Sequence, residues 1–348
     1  MNLIKNTFTG LVLITLGTLL GVVFTEVLLR ALKQKPINSC HSLDIERIKN
    51  FNYSTKFKKY EPEKVMPICN NSDFKIFSKS NKDGYLGYSK KHQEPILVFG
   101  DSFAYGYGIQ QDNTISAKLG AYNAGLWGKS FDDHSLVFQE VTMKHHFKKA
   151  VWFIYAPHLI SISPPGWKTK NNINKKEKPF LYSLIAFFNT TEVSSLLLKT
   201  LGVGWNRTDY YTPEWSLFNK DSDRAKTGYK KFTESLLEIK THALKKSIEL
   251  YFLIIPSKNE LRLLTGEPVP FFNIGKQLDA NLPKKNLSSI ILDMGFPKSS
   301  IIEVRDILKN GDEDLKNWEQ YYFSNDAHIN EKGSTLVSQF LDRILTGE

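Results

Sequence analysis

A serine, a histidine and an aspartate occupy positions in the sequence from which they could act together. Ser102 follows an apolar run at 96–99 and a glycine, at the point where a helix would begin. Asp326 and His328 lie in a short polar loop near the C-terminus, ahead of a final helical segment. A serine hydroxyl becomes a nucleophile when a histidine removes its proton and a carboxylate holds that histidine in one tautomer. These residue types therefore predict acyl transfer through an acyl-enzyme on Ser102.

The same residues also have interpretations without chemistry. Ser102 could cap the helix that follows it, and Asp326 and His328 could belong to a solvated loop. The cap interpretation leaves the C-terminal pair unexplained, so the nucleophile interpretation is favoured. No cysteines or histidines have the spacing of a zinc or redox site, so we expect neither a metal nor a cofactor.

The elements that must position these residues follow from hydrophobic patterning. From Pro95 onward, apolar runs of strand length alternate with helical patterns, which predicts crossover units and a parallel sheet buried on both faces. The predicted strands are 96–99, 121–123, 150–155, 250–255 and 301–304. The predicted helices are 114–119, 135–146, 226–249, 272–282 and 333–345.

The order of the polar motifs resembles the SGNH, or GDSL, hydrolases. The resemblance is carried by Gly100-Asp101-Ser102, by Gly125 after the second strand and by Asp326-Ala327-His328, with support from 81–87, from 100–109 and from Ile255-Pro256-Ser257-Lys258. It covers residues 80–345, and it is strongest with the membrane-anchored bacterial members associated with O-acylation or deacylation of envelope polysaccharides. It implies a flavodoxin-like, three-layer α/β/α sandwich around a five-stranded parallel sheet.

Two backbone groups are expected to bind the oxyanion that forms during acyl transfer. One is the N–H of Ser102, and the other is that of Gly125, where a glycine lets the main chain approach the substrate. Members of the family usually add an asparagine after the third strand. The corresponding stretch 153–159 contains none, so His158 is the candidate substitute donor.

The N-terminal segment predicts a membrane anchor. Residues 7–25 carry no charge, and at about 1.5 Å per residue a helix of roughly 20 residues spans the hydrocarbon of a bilayer. No small-residue cleavage site follows, so 1–32 is interpreted as an uncleaved signal anchor rather than a cleaved signal. Basic residues flank both ends, so charge alone does not orient the segment. We expect the remaining chain outside the cytoplasmic membrane.

Two further regions precede and interrupt the predicted sheet. Residues 33–94 are polar and are interpreted as a stalk with edge strands, in which no functional residue is expected. The hydrolase-like domain is predicted at 95–348, with an insertion at 160–223 that is either a lid or a decorative subdomain. Cys40 and Cys69 are either a disulfide pair or two unpaired buried cysteines.

Three functions remain open. The leading one is a serine esterase or O-acyltransferase that acts on an acylated envelope glycan or another ester, held at the inner membrane beside envelope-assembly proteins. The second is a glycan-binding or scaffolding subunit without activity, and the third is a lipase or lysophospholipase. The net charge of +10 favours anionic surroundings, but no nucleic-acid-binding motif is present and no nucleic-acid partner is expected.

Overall fold

The computed structural model describes residues 60–70, 73–88, 95–160, 214–267, 278–309 and 315–347, together with Gly17, Leu20, Gly21 and Val269. The chain divides into two compact units. The elements below all lie in the unit formed by Ser39–Ile162 and Thr212–Glu348.

A five-stranded parallel sheet forms the centre of this unit. Its strands are β3 (Ile96–Gly100), β4 (Tyr122–Asn123), β5 (Lys149–Tyr155), β6 (Glu249–Ile255) and β7 (Ile301–Glu303). Their order is β4-β3-β5-β6-β7, and every neighbouring pair is parallel. This is the flavodoxin-like order, in which the chain leaves the first strand in opposite directions and opens a ligand crevice at the carboxyl ends of the strands. In this sheet the crevice lies where β3 and β5 end.

Eight α-helices lie in the described part of the chain. They are α1 (Ser102–Tyr105), α2 (Ile115–Lys118), α3 (Phe131–Lys144), α4 (Asp223–Lys246), α5 (Lys258–Thr265), α6 (Leu282–Asp293), α7 (Val304–Lys309) and α8 (Glu331–Thr346). Short 3₁₀ turns occur at Gln111–Asn113, Ala156–Leu159, Glu214–Phe218, Lys298–Ser300 and Trp318–Tyr321.

Helices cover both faces of the sheet, because its strands are apolar on both faces. In β3, Leu97 and Phe99 point into a core that includes Phe138 of α3 and Phe232 of α4. The alternate residues of the strand, such as Val98, point into the second core. That core also contains Ile115 of α2 and Leu341 of α8. Side chains that alternate between two buried faces are expected of a central parallel strand.

The sequence predicted this architecture well and some helices poorly. The five strands and their parallel arrangement are confirmed, and each strand differs from its predicted bounds by one residue at one end. The helix predicted at 272–282 is wrong where it can be compared, because 278–281 are not helical and α6 begins at Leu282. Pro283 lies in the first turn of α6, where its missing N–H has no helical partner to lose. A helix beginning at Ser102 was expected and is α1, whereas α5, α7 and the part of α6 beyond Leu282 were not predicted.

An antiparallel hairpin precedes the sheet. Strands β1 (Val65–Asn70) and β2 (Phe74–Lys79) pair from Val65↔Lys79 to Asn70↔Phe74 and form a separate two-stranded sheet. Cys69 in β1 is disulfide-bonded. Cys40 lies outside the described residues, so the pairing of Cys40 with Cys69 stays a prediction.

Several other predictions fall on residues that the structure does not describe. Only three positions of the predicted anchor 1–32 are described. Of the insertion 160–223, only Ile160 and residues 214–223 are described. Among the described residues, no helix is both long and apolar enough to cross a membrane. The predicted domain bounds stay predictions.

Candidate active site

Ser102 is mounted at the junction between β3 and α1. Gly100, which ends β3, has a φ of 141°, and a Cβ there would lie 2.7 Å from the carbonyl oxygen of Phe153, so only glycine fits. Asp101 caps α1, because its carboxylate accepts a hydrogen bond of 2.8 Å from the N–H of Phe103. The sharp turn therefore places Ser102 at the first position of the helix, above the carboxyl edge of the sheet.

The structure brings Ser102, His328 and Asp326 into direct contact. Nε2 of His328 lies 2.6 Å from the Ser102 hydroxyl oxygen, and Nδ1 lies 2.5 Å from Oδ1 of Asp326. A carboxylate only accepts hydrogen bonds, so the ring donates from Nδ1 and accepts the hydroxyl proton at Nε2. This is the tautomer that a histidine base needs in front of a serine nucleophile.

The loop that carries the histidine, residues 322–329, closes on itself. Tyr322 and Ile329 form an antiparallel bridge, and the N–H of Phe323 donates to the carbonyl oxygen of His328 at 3.0 Å. Oδ1 of Asp326 also accepts the backbone N–H of His328 at 2.9 Å. The same oxygen thus fixes both the main chain and the ring of His328, which explains why an acid two residues before the histidine reaches it. We call residues 322–329 the acid–base loop.

Aromatic rings surround the histidine. The rings of Phe103 and Tyr107 lie 4.6 and 4.8 Å from the His328 ring, measured between centroids. Tyr107 stacks in turn on Trp127, whose side chain is partly exposed. These contacts restrict the imidazole to a single orientation, which is what a base that must meet one hydroxyl requires.

A buried polar cluster lies next to Ser102. Oδ2 of Asp101 lies 2.8 Å from Nδ1 of His158, and Asp101 is fully buried. Burial by itself would raise the pKa of the Asp101 carboxyl, but the electrostatic interaction with His158, together with the hydrogen bond from the N–H of Phe103, outweighs burial and lowers the pKa. His134, also buried, accepts a hydrogen bond of 3.0 Å from Nε1 of Trp152 at its Nδ1. Burial lowers the pKa of His134 to about 4, so this ring is neutral at physiological pH.

Two predicted oxyanion groups make contacts with neighbouring protein groups, and their role in binding an oxyanion stays a prediction. The N–H of Gly125 donates at 2.9 Å to Oδ1 of Asn123. Gly125 is a glycine for a different reason, because a Cβ there would lie 2.2 Å from the backbone nitrogen of Tyr105. The ring of His158 contacts Asp101, as described above. The N–H of Ser102 remains the predicted donor.

Sequence reasoning missed two residues that hold the acid–base loop. Asp73, at the hairpin turn, accepts hydrogen bonds from the main-chain N–H and the side-chain amide of Asn325, at 2.9 and 3.2 Å. The segment 33–94, in which no functional residue was expected, therefore contacts the site. The ammonium of Lys258 donates to main-chain carbonyls of the same loop. Lys258 could have been noticed in the sequence because it follows an apolar strand, whereas nothing in the sequence distinguished Asp73.

Comparison with known proteins gives structural likenesses only. No protein-family model and no curated protein sequence matches the chain. Among solved structures, it is similar to a protein described as lipolytic, of the G-D-S-L family, from Desulfitobacterium hafniense DCB-2, with 12% identity, a TM-score of 0.38, and coverage of 72% of this chain and 99% of that one. It is also similar to a protein described as an acylhydrolase from Bacteroides fragilis NCTC 9343, with 10% identity, a TM-score of 0.40 and coverage of 75% and 91%.

A third similar structure is a catalytic mutant of an acetylxylan esterase from Geobacillus stearothermophilus. It shares 10% identity and a TM-score of 0.38, with coverage of 73% of this chain and 95% of that one. The function proposed below rests on the geometry of the site in this chain.

Proposed function

We propose that the protein is a serine esterase or O-acyltransferase that works through an acyl-enzyme on Ser102. The observation that carries the proposal is the continuous chain of contacts from Ser102 through His328 to Asp326, at 2.6 and 2.5 Å. A serine that served only as a helix cap would not need an oriented imidazole on its hydroxyl. Here the cap is Asp101, which leaves the Ser102 hydroxyl free for chemistry.

The reaction follows from the hydrogen-bond directions. Ser102 Oγ attacks the acyl carbon while its proton passes to Nε2 of His328, and Asp326 stabilises the imidazolium that forms. The tetrahedral intermediate then collapses, and the alcohol leaves with the proton from His328. A second acceptor attacks the acyl-enzyme, gives its proton to His328 and releases the acyl group, after which the proton returns to Ser102. Water as the acceptor gives hydrolysis, and a sugar hydroxyl gives transfer.

The proposed substrate is an acylated glycan of the cell envelope. The uncharged segment 7–25 supports a place at the inner membrane with the catalytic unit outside the cytoplasm, and the charge of +10 supports work near anionic polymers or lipid headgroups. Envelope-assembly proteins are the proposed partners. The resemblance of the motifs to membrane-anchored enzymes of polysaccharide acylation supports the same substrate class.

A fluorophosphonate probe and an aryl acetate test the proposal on the full-length protein. An activated serine bonds to the probe phosphorus and expels fluoride, so the wild type should be labelled and Ser102→Ala should not. Turnover of the aryl acetate should fall by about 10³-fold or more in Ser102→Ala. The matched control is Ser222→Ala, because the Ser222 hydroxyl caps helix α4 by accepting a hydrogen bond from the N–H of Ala225 and has no hydrogen bond to a histidine in the described part of the chain. Equal labelling of wild type and Ser102→Ala would contradict the proposal.

A scaffold without activity is the second candidate, and one observation favours it. The N–H of Gly125 is hydrogen-bonded to Asn123; if that bond persists when substrate is bound, the loss of one oxyanion donor costs about 10² to 10³ in rate. A scaffold would retain glycan binding and in vivo complementation in Ser102→Ala. An acyl-transfer enzyme would lose complementation in that variant.

A further inference from the structure

The side chain of Lys258 makes three hydrogen bonds to the acid–base loop, although Lys258 takes no part in the proposed reaction. It is the first residue of α5, directly after β6 and the cap residue Ser257. Its ammonium donates to the carbonyl oxygens of Phe323, Ser324 and Asp326, at 2.7, 3.2 and 3.3 Å. One side chain thus gathers three carbonyls that precede His328 in the loop.

The first position of helix α5 is unfavourable for a charged lysine, because of the helix dipole and because of burial. A cation at the first position of a helix faces the positive end of the helix dipole. Burial lowers the pKa of Lys258, and Arg262 lowers it further, while Glu319, Asp73 and Asp326 oppose the shift. The three carbonyls offset these costs, because they give the ammonium all the acceptors that its three N–H groups can use.

The residues that follow β6 also hold the start of the acid–base loop. The hydroxyl of Tyr322 donates to the carbonyl oxygen of Pro256 at 3.0 Å. The end of β6 therefore contacts the acid–base loop from Tyr322 to Asp326, while the opposite side of the loop is held by Asp73 through Asn325. Asp326 lies between these two supports, and its carboxylate orients His328.

We propose that Lys258 is a positioning residue of the catalytic site, which acts by holding the loop so that the Asp326 carboxylate stays on the His328 ring. The proposal rests on the proposed function for its kinetic consequence, but its structural consequence is independent of any substrate. Without the ammonium, three loop carbonyls lose their donor and the backbone of Asp326 is released. A displacement of about 1 Å in a catalytic constellation costs about 10²-fold in rate.

The test compares Lys258→Met, which keeps most of the aliphatic stem and removes the donors, with Lys240→Met as a matched control. Lys240 also donates to a main-chain carbonyl, that of Met294 at 2.5 Å, but between α4 and the end of α6. For folded full-length protein we expect kcat on an aryl acetate to fall by about 10- to 10²-fold in Lys258→Met, with KM changed by less than about twofold. Lys240→Met should keep the wild-type kcat even where its thermal midpoint falls.

A second readout needs no turnover. The Nδ1 proton held between His328 and Asp326 should give a downfield proton resonance that is absent in His328→Gln. This resonance should broaden or disappear in Lys258→Met and persist in Lys240→Met. If Lys258→Met does not fold, Lys258→Gln, whose shorter amide cannot reach all three carbonyls, takes its place in both measurements.

The outcomes separate the two proposals. A wild-type resonance together with a wild-type kcat in Lys258→Met would overturn the positioning role while leaving the esterase proposal intact. A protein with no serine-dependent turnover or labelling would overturn the esterase proposal, and the resonance would still decide whether Lys258 holds the loop. Loss of the resonance in both lysine variants would show a general loss of stability and would also count against a specific role of Lys258.

Discussion

The segment around the proposed nucleophile (residues 100–105, here called the nucleophile segment) and the acid–base loop meet at Ser102, but different kinds of contact position them. Around Ser102 the determining contacts are local, such as the Asp101 carboxylate on the N–H of Phe103 two residues away, and Asp101 and Ser102 are buried. The acid–base loop meets Ser102 across 226 residues of sequence, and its support from Asp73 spans 252 residues and is exposed. Contacts within a short segment thus position Ser102, whereas the position of His328 depends on several elements packing together.

This difference has an energetic consequence. Local contacts close short loops and form with little additional entropy, while each distant contact depends on the whole fold being in place. We therefore expect the geometry of the nucleophile segment to tolerate changes elsewhere in the protein. The acid–base loop should be sensitive to residues that never touch a substrate.

The largest effect is expected from Asp326→Asn, which leaves the loop length unchanged but removes the charge that holds the His328 tautomer. We expect kcat to fall by about 10⁴-fold with the fold retained. The measurement is aryl acetate turnover together with circular dichroism of the same preparation.

The neighbour Asn325 provides the comparison for this prediction. Asn325→Ala loses only a side-chain hydrogen bond of 3.2 Å to Asp73, so its turnover should fall by less than about tenfold. A larger loss in Asn325→Ala than in Asp326→Asn would show that the Asp326 carboxylate is not what orients His328, contrary to the 2.5 Å contact between them.

An intermediate effect is expected on the nucleophile side, from the buried His134. Its pKa is lowered by burial to about 4 from 6.5, so the folded protein keeps the ring neutral where the unfolded chain would protonate it. The free energy of unfolding should therefore decrease as the pH falls from about 6.5 towards 4, by about 3 kcal/mol in total. His134→Gln keeps an acceptor for Trp152 and should remove that part of the pH dependence.

Urea unfolding followed by tryptophan fluorescence at several pH values between 7 and 4 would check this expectation. The exposed His146 provides the control, since His146→Gln should leave the acid destabilisation as it is in the wild type. An unchanged pH dependence in His134→Gln would mean that the acid sensitivity of the fold arises elsewhere.

The smallest effect is expected from Asp73→Ala in the hairpin. Asn325 loses two hydrogen bonds, both solvent-exposed, so we expect a loss of about 1 kcal/mol in the free energy of unfolding and a fall in kcat of no more than about tenfold. Asp73→Asn, which keeps one acceptor, should lie between Asp73→Ala and the wild type. A kcat in Asp73→Ala that equals the wild-type value would show that Lys258 and Tyr322 suffice to hold the loop.

The sequence predicts the sheet well because its signal is local and strong. After a charged first residue, strands β5 and β6 are apolar, as expected of strands buried on both faces, and the helices between the strands follow a helical pattern of apolar residues. The short helices α1 and α7 gave no such signal, because four and six residues are too few to show a period. The start of α6 was misplaced because apolar residues ahead of Pro283 suggested a helix where none is described.

Within the site, residue types and their order were sufficient to select Ser102, Asp326 and His328 as the candidates. The sequence could not show that the Gly125 N–H is bonded to Asn123, because that depends on how the loop after β4 folds against α1. It also gave no indication that the hairpin would reach the acid–base loop. The contact of the hairpin joins Asp73 to Asn325, 252 residues apart, and such a separation along the chain carries no information about distance in space.

By itself the sequence determined an α/β chain with a five-stranded parallel sheet and three residues suited to acyl transfer, because buried strands and catalytic side chains are identifiable from residue type and local order. Only the tertiary structure decided that the serine, the imidazole and the carboxylate touch, and that Lys258 and Asp73 hold the loop that carries two of them. The physical reason is that hydrogen bonds act over about 3 Å, whereas these partners are brought within that range only when the entire sheet and its covering helices pack.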